Sequence, residues 1–194
     1  MKRARHVTPK TPHGRAFQRA AVAFIFAAVL GSGAATALTR VPREEVMDTA
    51  RTPAGELSLV RRREREGAVV VVIKLGGRVI AEKTASREGD AYESASFAGL
   101  YPRAAPRYAL VGFSTGALVC GAKFAVVDLS REGGAKATED FGNCSDAPRV
   151  SYRRGALTVT FPAGPKKRDP GTHYVGPGQV WTYGGGRLRR VGGR

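Results

Sequence analysis

Beyond residue 57 the apolar positions of this chain come in short runs, each ended by Gly, Pro, Asn or Asp. Ala68–Leu75 is almost entirely β-branched, with Val69, Val70, Val71, Val72 and Ile73 in succession. Such a run predicts a strand buried on both faces. Gly76-Gly77 is a two-residue hairpin signal, and Arg78–Lys83 supplies the returning arm. Further strands are predicted at Tyr92–Phe97, Arg107–Phe113 and Lys123–Leu129. Arg149–Arg153 and Ala156–Phe161 form a hairpin around Arg154-Gly155. In its second arm Leu157, Val159 and Phe161 alternate with Thr158 and Thr160, the period of a half-buried strand. Gln179–Tyr183 and Arg187–Val191 form a last hairpin around Gly184-Gly185-Gly186.

No helix-length amphipathic pattern follows residue 52, and parallel βαβ units need crossover helices. The expected fold is therefore all-β: an antiparallel sandwich, or a compact barrel or meander, built from hairpins. Val70, Val72, Leu110, Val126, Val159 and Phe161 are its expected core. Upstream, Pro42 suits a first helical position and Glu44 and Glu45 a first turn. A short helix is thus expected over 42–50, within a linker spanning 38–56, and the β domain over 57–194. Three of the hairpins share a spacing, with a turn glycine five residues after an apolar position and an aliphatic two later. Either common turn chemistry or a repeated meander accounts for it.

The first forty residues read as an address. Lys2, Arg3, Arg5, Lys10, Arg15 and Arg19 precede an uncharged run from Ala20 to Thr39 that ends in small residues, Ala35-Thr36-Ala37. A basic start, an apolar stretch and an A-x-A site are the parts of a secretory signal peptide over 1–37. The alternative is an uncleaved anchor, since twenty uncharged residues just span a bilayer core of ~30 Å. Both place the remainder outside the cytoplasm, periplasmic or secreted in the first case and inner-membrane anchored in the second. The two cysteines, Cys120 and Cys144, fall in that remainder. An oxidising compartment favours their pairing over two free thiols.

Charge is distributed unevenly. The chain of 194 residues has 32 Lys and Arg against 16 Asp and Glu. Residues 149–194 hold ten of the bases and one acid, Asp169, whereas 38–148 are nearly balanced. The candidate anion-binding group is Arg149, Arg153, Lys166, Lys167, Arg168, Arg187, Arg189 and Arg190. Residues two or four apart on a strand share a face, which pairs Arg149 with Arg153 and Arg187 with Arg189. A one-sided basic end attracts polyanions. Outside the cytoplasm these are an anionic envelope polymer or lipid headgroups, and nucleic acid is a poor physiological partner. A merely solvated basic surface is the other reading.

Catalytic chemistry has one sequence match. Gly112-Phe113-Ser114-Thr115-Gly116 fits G-x-S-x-G, the nucleophile elbow of α/β-hydrolases, and Asp128, Asp140, Asp146 and then His173 follow in that fold's order. The alternative function is therefore a secreted serine esterase using Ser114, Asp146 and His173. Against it, the required long helix is not evident after Ser114, and Ser114-Thr115-Gly116 reads equally as a turn leading to Cys120. His173 has no second histidine outside the leader, so no metal site is expected, nor any cofactor.

Tyr108–Leu129, with Ser114-Thr115-Gly116, Cys120 and Val126-Val127-Asp128-Leu129, is followed by Phe141-Gly142-Asn143-Cys144-Ser145-Asp146 and the hairpin Val150–Phe161. This central third resembles a group of small exported bacterial proteins of unknown function. The resemblance implies a disulfide-pinned β domain and carries no activity.

Overall fold

The computed structural model describes residues 43–64, 67–84, 92–115, 120–130, 134–164 and 175–193. The leader, Lys166, Lys167, Arg168 and His173 lie outside the described residues. Twelve strands are described, all within the compact unit Arg40–Arg194. They are β1 (Arg43–Thr52), β2 (Gly55–Arg63), β3 (Val69–Leu75), β4 (Arg78–Lys83), β5 (Ser94–Tyr101), β6 (Tyr108–Ser114), β7 (Ala122–Asp128), β8 (Lys136–Ala137), β9 (Arg149–Arg153), β10 (Ala156–Phe161), β11 (Gln179–Gly184) and β12 (Arg187–Gly192). They form three antiparallel four-stranded sheets in chain order: an N-terminal sheet β1-β2-β3-β4, a middle sheet β5-β6-β7-β8 and a C-terminal sheet β9-β10-β11-β12.

The expected all-β antiparallel class is what the chain adopts. The expected helix over 42–50 is not: β1 occupies that segment and pairs with β2 from Arg43↔Arg63 to Thr52↔Gly55. Proline and two glutamates imitate a helix start, but pairing along a whole neighbouring strand outweighs local propensity. Three hairpins turn on two residues at positive φ: Gly76 and Gly77 (56° and 79°), Arg154 and Gly155 (50° and 79°), Gly185 and Gly186 (56° and 75°). Two such residues in succession define the turn whose twist matches that of paired strands. The last turn therefore uses two glycines, and Gly184 belongs to β11 opposite Arg187.

The middle sheet is apolar on both faces because each face meets another sheet. Ala109, Val111, Phe113, Ala125 and Val127 pack against Leu57, Leu59, Val71 and Ile73 of the N-terminal sheet. On the opposite face Leu110, Phe124 and Val126 pack against Leu157, Val159, Phe161 and Tyr183 of the C-terminal sheet. The result is three stacked layers, with period-2 alternation in β10 and near-continuous apolar runs in β6 and β7. All six expected core residues are buried. Val70 and Val72, however, face away from the middle sheet and form a separate cluster with Val60 on the outer side of the N-terminal sheet.

Polar groups tie the layers where strands end. Lys83 of β4 reaches Asp140 at 2.8 Å and donates to the Thr138 carbonyl at 2.6 Å. Asp140 also accepts from the buried Tyr92 hydroxyl. Burial, and then this bond, push the Tyr92 pKa well above its ordinary value. On the other side, the Tyr183 hydroxyl donates to Asp128 Oδ2 at 2.8 Å, and the Tyr108 hydroxyl donates to the Gly155 carbonyl at 2.9 Å.

Residues 141–146 form the corner between the middle and C-terminal sheets, and each has its own task. Phe141 bridges Phe124 and packs edge-on against Phe161 and at a tilt against Trp181. Gly142 sits at φ 116°, where a Cβ would lie 3.2 Å from the Phe161 ring. Asn143 is buried and donates through Nδ2 to the carbonyls of Pro162 (2.7 Å) and Pro177 (2.9 Å), clamping the ends of β10 and β11. Cys144, at φ 73°, is disulfide-bonded to Cys120, as expected. Thr115, just past β6, donates to the Cys120 carbonyl and ties the end of that strand to the bridge. Closing a 24-residue separation is worth about 3–4 kcal/mol through the unfolded chain's entropy.

Candidate functional site

The outer face of the C-terminal sheet is the candidate anion site. Register fixes what it displays. Ser151, Thr158, Thr182 and Arg189 form one row across all four strands. Arg149, Thr160 and Val180 form the next. Arg153 lies opposite Ala156, and Arg187 opposite Gly184. The alternate positions Leu157, Val159, Phe161 and Tyr183 point inward, so this face is the solvent side of a half-buried sheet. Its centre is small and hydroxyl-bearing, and its two edge strands carry arginines about 14 Å apart, three strand spacings. Both expected arginine pairs therefore share a single face.

Its electrostatics are one-sided. The described segments 149–164 and 175–193 contain six arginines and no acid. Among the described residues none of Arg149, Arg153, Arg187 and Arg189 has an ion-pair partner, and all four are exposed. Arg190 is the exception within the candidate group. It pairs with Trp181, whose ring packs inward on Phe141, so Arg190 projects from the opposite side of β12 to Arg189. The bulge at Val180/Trp181 that ends this register was invisible in the sequence. Arg154, absent from the candidate group, sits at the hairpin turn beside Arg153.

The catalytic alternative has a different outcome. Ser114 is the last residue of β6 and pairs with Ala122 of β7. The next strand, β7, starts at Ala122 and pairs antiparallel with β6, whereas a nucleophile elbow leads from its strand into a long helix. Ser114 and Asp146 do line one groove, and His173 lies outside the described residues. Asp140 and Asp128 are committed elsewhere, to Lys83 and Tyr183.

No known family, no curated protein and no solved structure matches the chain.

Proposed function

We propose that this chain is an exported, non-catalytic envelope module that holds an anionic polymer or membrane surface on the outer face of its C-terminal sheet. The observation that carries the reading is that Arg149, Arg153, Arg187 and Arg189 share one sheet face that holds no acid among the described residues. Arginine's planar fork suits phosphate and carboxylate oxygens, and the threonine and serine hydroxyls between the two edges add neutral donors. The disulfide fits an oxidising compartment, which supports export. Lys166, Lys167 and Arg168 belong to the same proposal by sequence, as part of the basic C-terminal stretch.

Co-sedimentation of the full chain with anionic vesicles, and separately with lipopolysaccharide, tests this at low and high salt. Binding should be strong near 0.1 M salt and largely lost near 1 M, as the Debye length falls from ~10 Å to ~3 Å. Binding that ignores salt, or no binding to either, rejects it. A serine-directed fluorophosphonate should leave Ser114 unlabelled, and labelling lost in Ser114→Ala would make the chain an enzyme instead.

A further inference from the structure

Among the described residues the C-terminal sheet covers only part of the middle sheet's second face, and the remainder is built mostly from small side chains. Ser94 of β5 pairs with Ser114, which pairs with Ala122. The next row is Ser96, Gly112 and Phe124. Ala98 follows, at a bulge. In the covered half of the same face the corresponding positions are Leu110, Val126 and Tyr108. The change from large to small side chains leaves a groove of about 690 Å³, lined also by Cys144, Asp146, Ala147, Pro148, Val150 and Tyr101. That volume is within the ~300–1,000 Å³ of small-ligand sites.

The groove's polar groups are available. Among the described residues the side chains of Ser94, Ser96, Ser114 and Asp146 make no hydrogen bond, and Ser94, Ser96 and Asp146 are exposed. Tyr101 lies over the backbone of Gly99, its hydroxyl 2.5 Å from where a Cβ would sit there, so a side chain at that position would push the phenol aside. That hydroxyl, too, has no partner among the described residues. Three serine hydroxyls, a phenol and a carboxylate thus line a floor whose aromatic elements are Tyr101 and Phe124.

This chemistry discriminates among ligands. Among the described residues no lysine or arginine lines the groove and Asp146 adds a carboxylate to it, so this lining offers an anion no charged partner, unlike the arginine face. A purely apolar ligand would leave the hydroxyls and the carboxylate without partners, at a cost of ~1–3 kcal/mol for each buried group. An extended peptide gains most by adding to a free sheet edge. Here the β5 edge is occupied: the Phe97 amide donates to Asp48 Oδ2 at 2.8 Å, and the Glu93 carbonyl accepts from Arg61 at 3.2 Å. A ligand with many hydroxyls, each both donor and acceptor, and with flat apolar ring faces matches what remains.

We propose that this groove is a binding site for an uncharged saccharide. One ring lies on the Ser96–Gly112 floor against Tyr101, Asp146 accepts from ring hydroxyls, and the three serines exchange hydrogen bonds with the rest. The site is distinct from the arginine face and does not depend on it.

The test is calorimetric titration of the full chain with a panel of neutral tetrasaccharides: cello-, malto-, laminari- and chitotetraose. At least one should bind with a Kd of millimolar or tighter. Ser96→Leu, which fills the floor, should weaken that binding by tenfold or more, and Asp146→Asn by several-fold. Both positions are exposed, so thermal melts should stay close to wild type and report intact folding. Arg149→Gln with Arg189→Gln should leave saccharide affinity unchanged, which separates this site's failure from the arginine face's. Absence of binding across the panel, binding indifferent to Ser96→Leu and Asp146→Asn, or binding of an extended peptide in preference to every saccharide would overturn the proposal.

Discussion

The two outer faces of this three-layer molecule both display cations on antiparallel strands, and they use them in opposite ways. On the N-terminal sheet, Arg62 reaches Glu64 at 2.8 Å and Glu82 at 2.9 Å, and Lys74 reaches Glu44 at 2.6 Å. These pairs run diagonally. Lys74 lies in the row of Ser58, and Glu44 in the row of Arg62 and Val70, so the link passes over the Val60–Val72 row between them. Arg62 to Glu82 crosses Val70 and Val72 in the same manner. Beneath these diagonal pairs Val60, Val70 and Val72 are 3%, 6% and 0% exposed. On the C-terminal sheet the equivalent face has, among the described residues, arginines without acids, over threonines without an apolar stripe. Charge count alone does not distinguish a structural roof from a ligand surface. Cross-strand partners do.

The largest expected effect lies on the C-terminal side. Changing Arg149, Arg153, Arg187 and Arg189 together to Gln should lower affinity for anionic vesicles by about a thousandfold, at ~1 kcal/mol per cation near a charged surface. Thermal stability should stay within about 0.5 kcal/mol, since exposed unpaired arginines contribute little to folding. Next, Cys120→Ser should cost ~2–5 kcal/mol in denaturant unfolding. The protein that remains folded should keep its anion affinity, because the bridge anchors the corner before β9 without contributing a charge.

Smaller effects sharpen the N-terminal side. Val72→Ala should cost about 2 kcal/mol by transfer and cavity terms together, whereas Thr158→Ala on the opposite outer face should cost under about 0.5 kcal/mol. The smallest effect concerns pH. A hydrogen bond from Arg61, aided by its charge, holds the Glu45 carboxyl below its ordinary value. The pair's contribution is therefore present above the unfolded carboxyl's pKa of 4.5 and is lost as pH falls through the lower folded value. Acid titration should weaken the N-terminal sheet first. A stability curve that is flat down to pH 3 would contradict this.

Strands set by local pattern were legible in the sequence. The β9–β10 hairpin was readable to the residue, because Arg154-Gly155 fixes the turn and Leu157, Val159 and Phe161 fix the face. β1 and β2 were not. Their leading glutamates resemble a helix start and their Arg61–Arg63 run resembles a solvated cluster, and both become strand through mutual pairing and through ions contributed by each to the other. The burial of Val70 and Val72 could be read from the run of β-branched residues, but not the side they face, since a strand apolar throughout has no preferred face. Arg190 leaves the arginine face by strand alternation alone, one position after Arg189, and the bulge between Val180 and Trp181 lies beyond it. The groove depends on Ser94 meeting Ser114 and Ser96 meeting Gly112. That juxtaposition exists in register alone.

The central claim is that anion affinity resides in unpaired arginines on one face, independent of the paired cations on the other. Its most direct test is the salt dependence of binding to one anionic polymer, polyphosphate, for three proteins: wild type, the fourfold Arg→Gln variant of the C-terminal sheet, and an Arg62→Gln, Lys74→Gln variant of the N-terminal sheet. Wild type and the N-terminal variant should show the same steep loss of affinity with salt, because paired cations release few counterions, and the C-terminal variant should show weak binding with a shallow slope. Equal losses in both variants, or a steep slope surviving the removal of Arg149, Arg153, Arg187 and Arg189, would contradict the account.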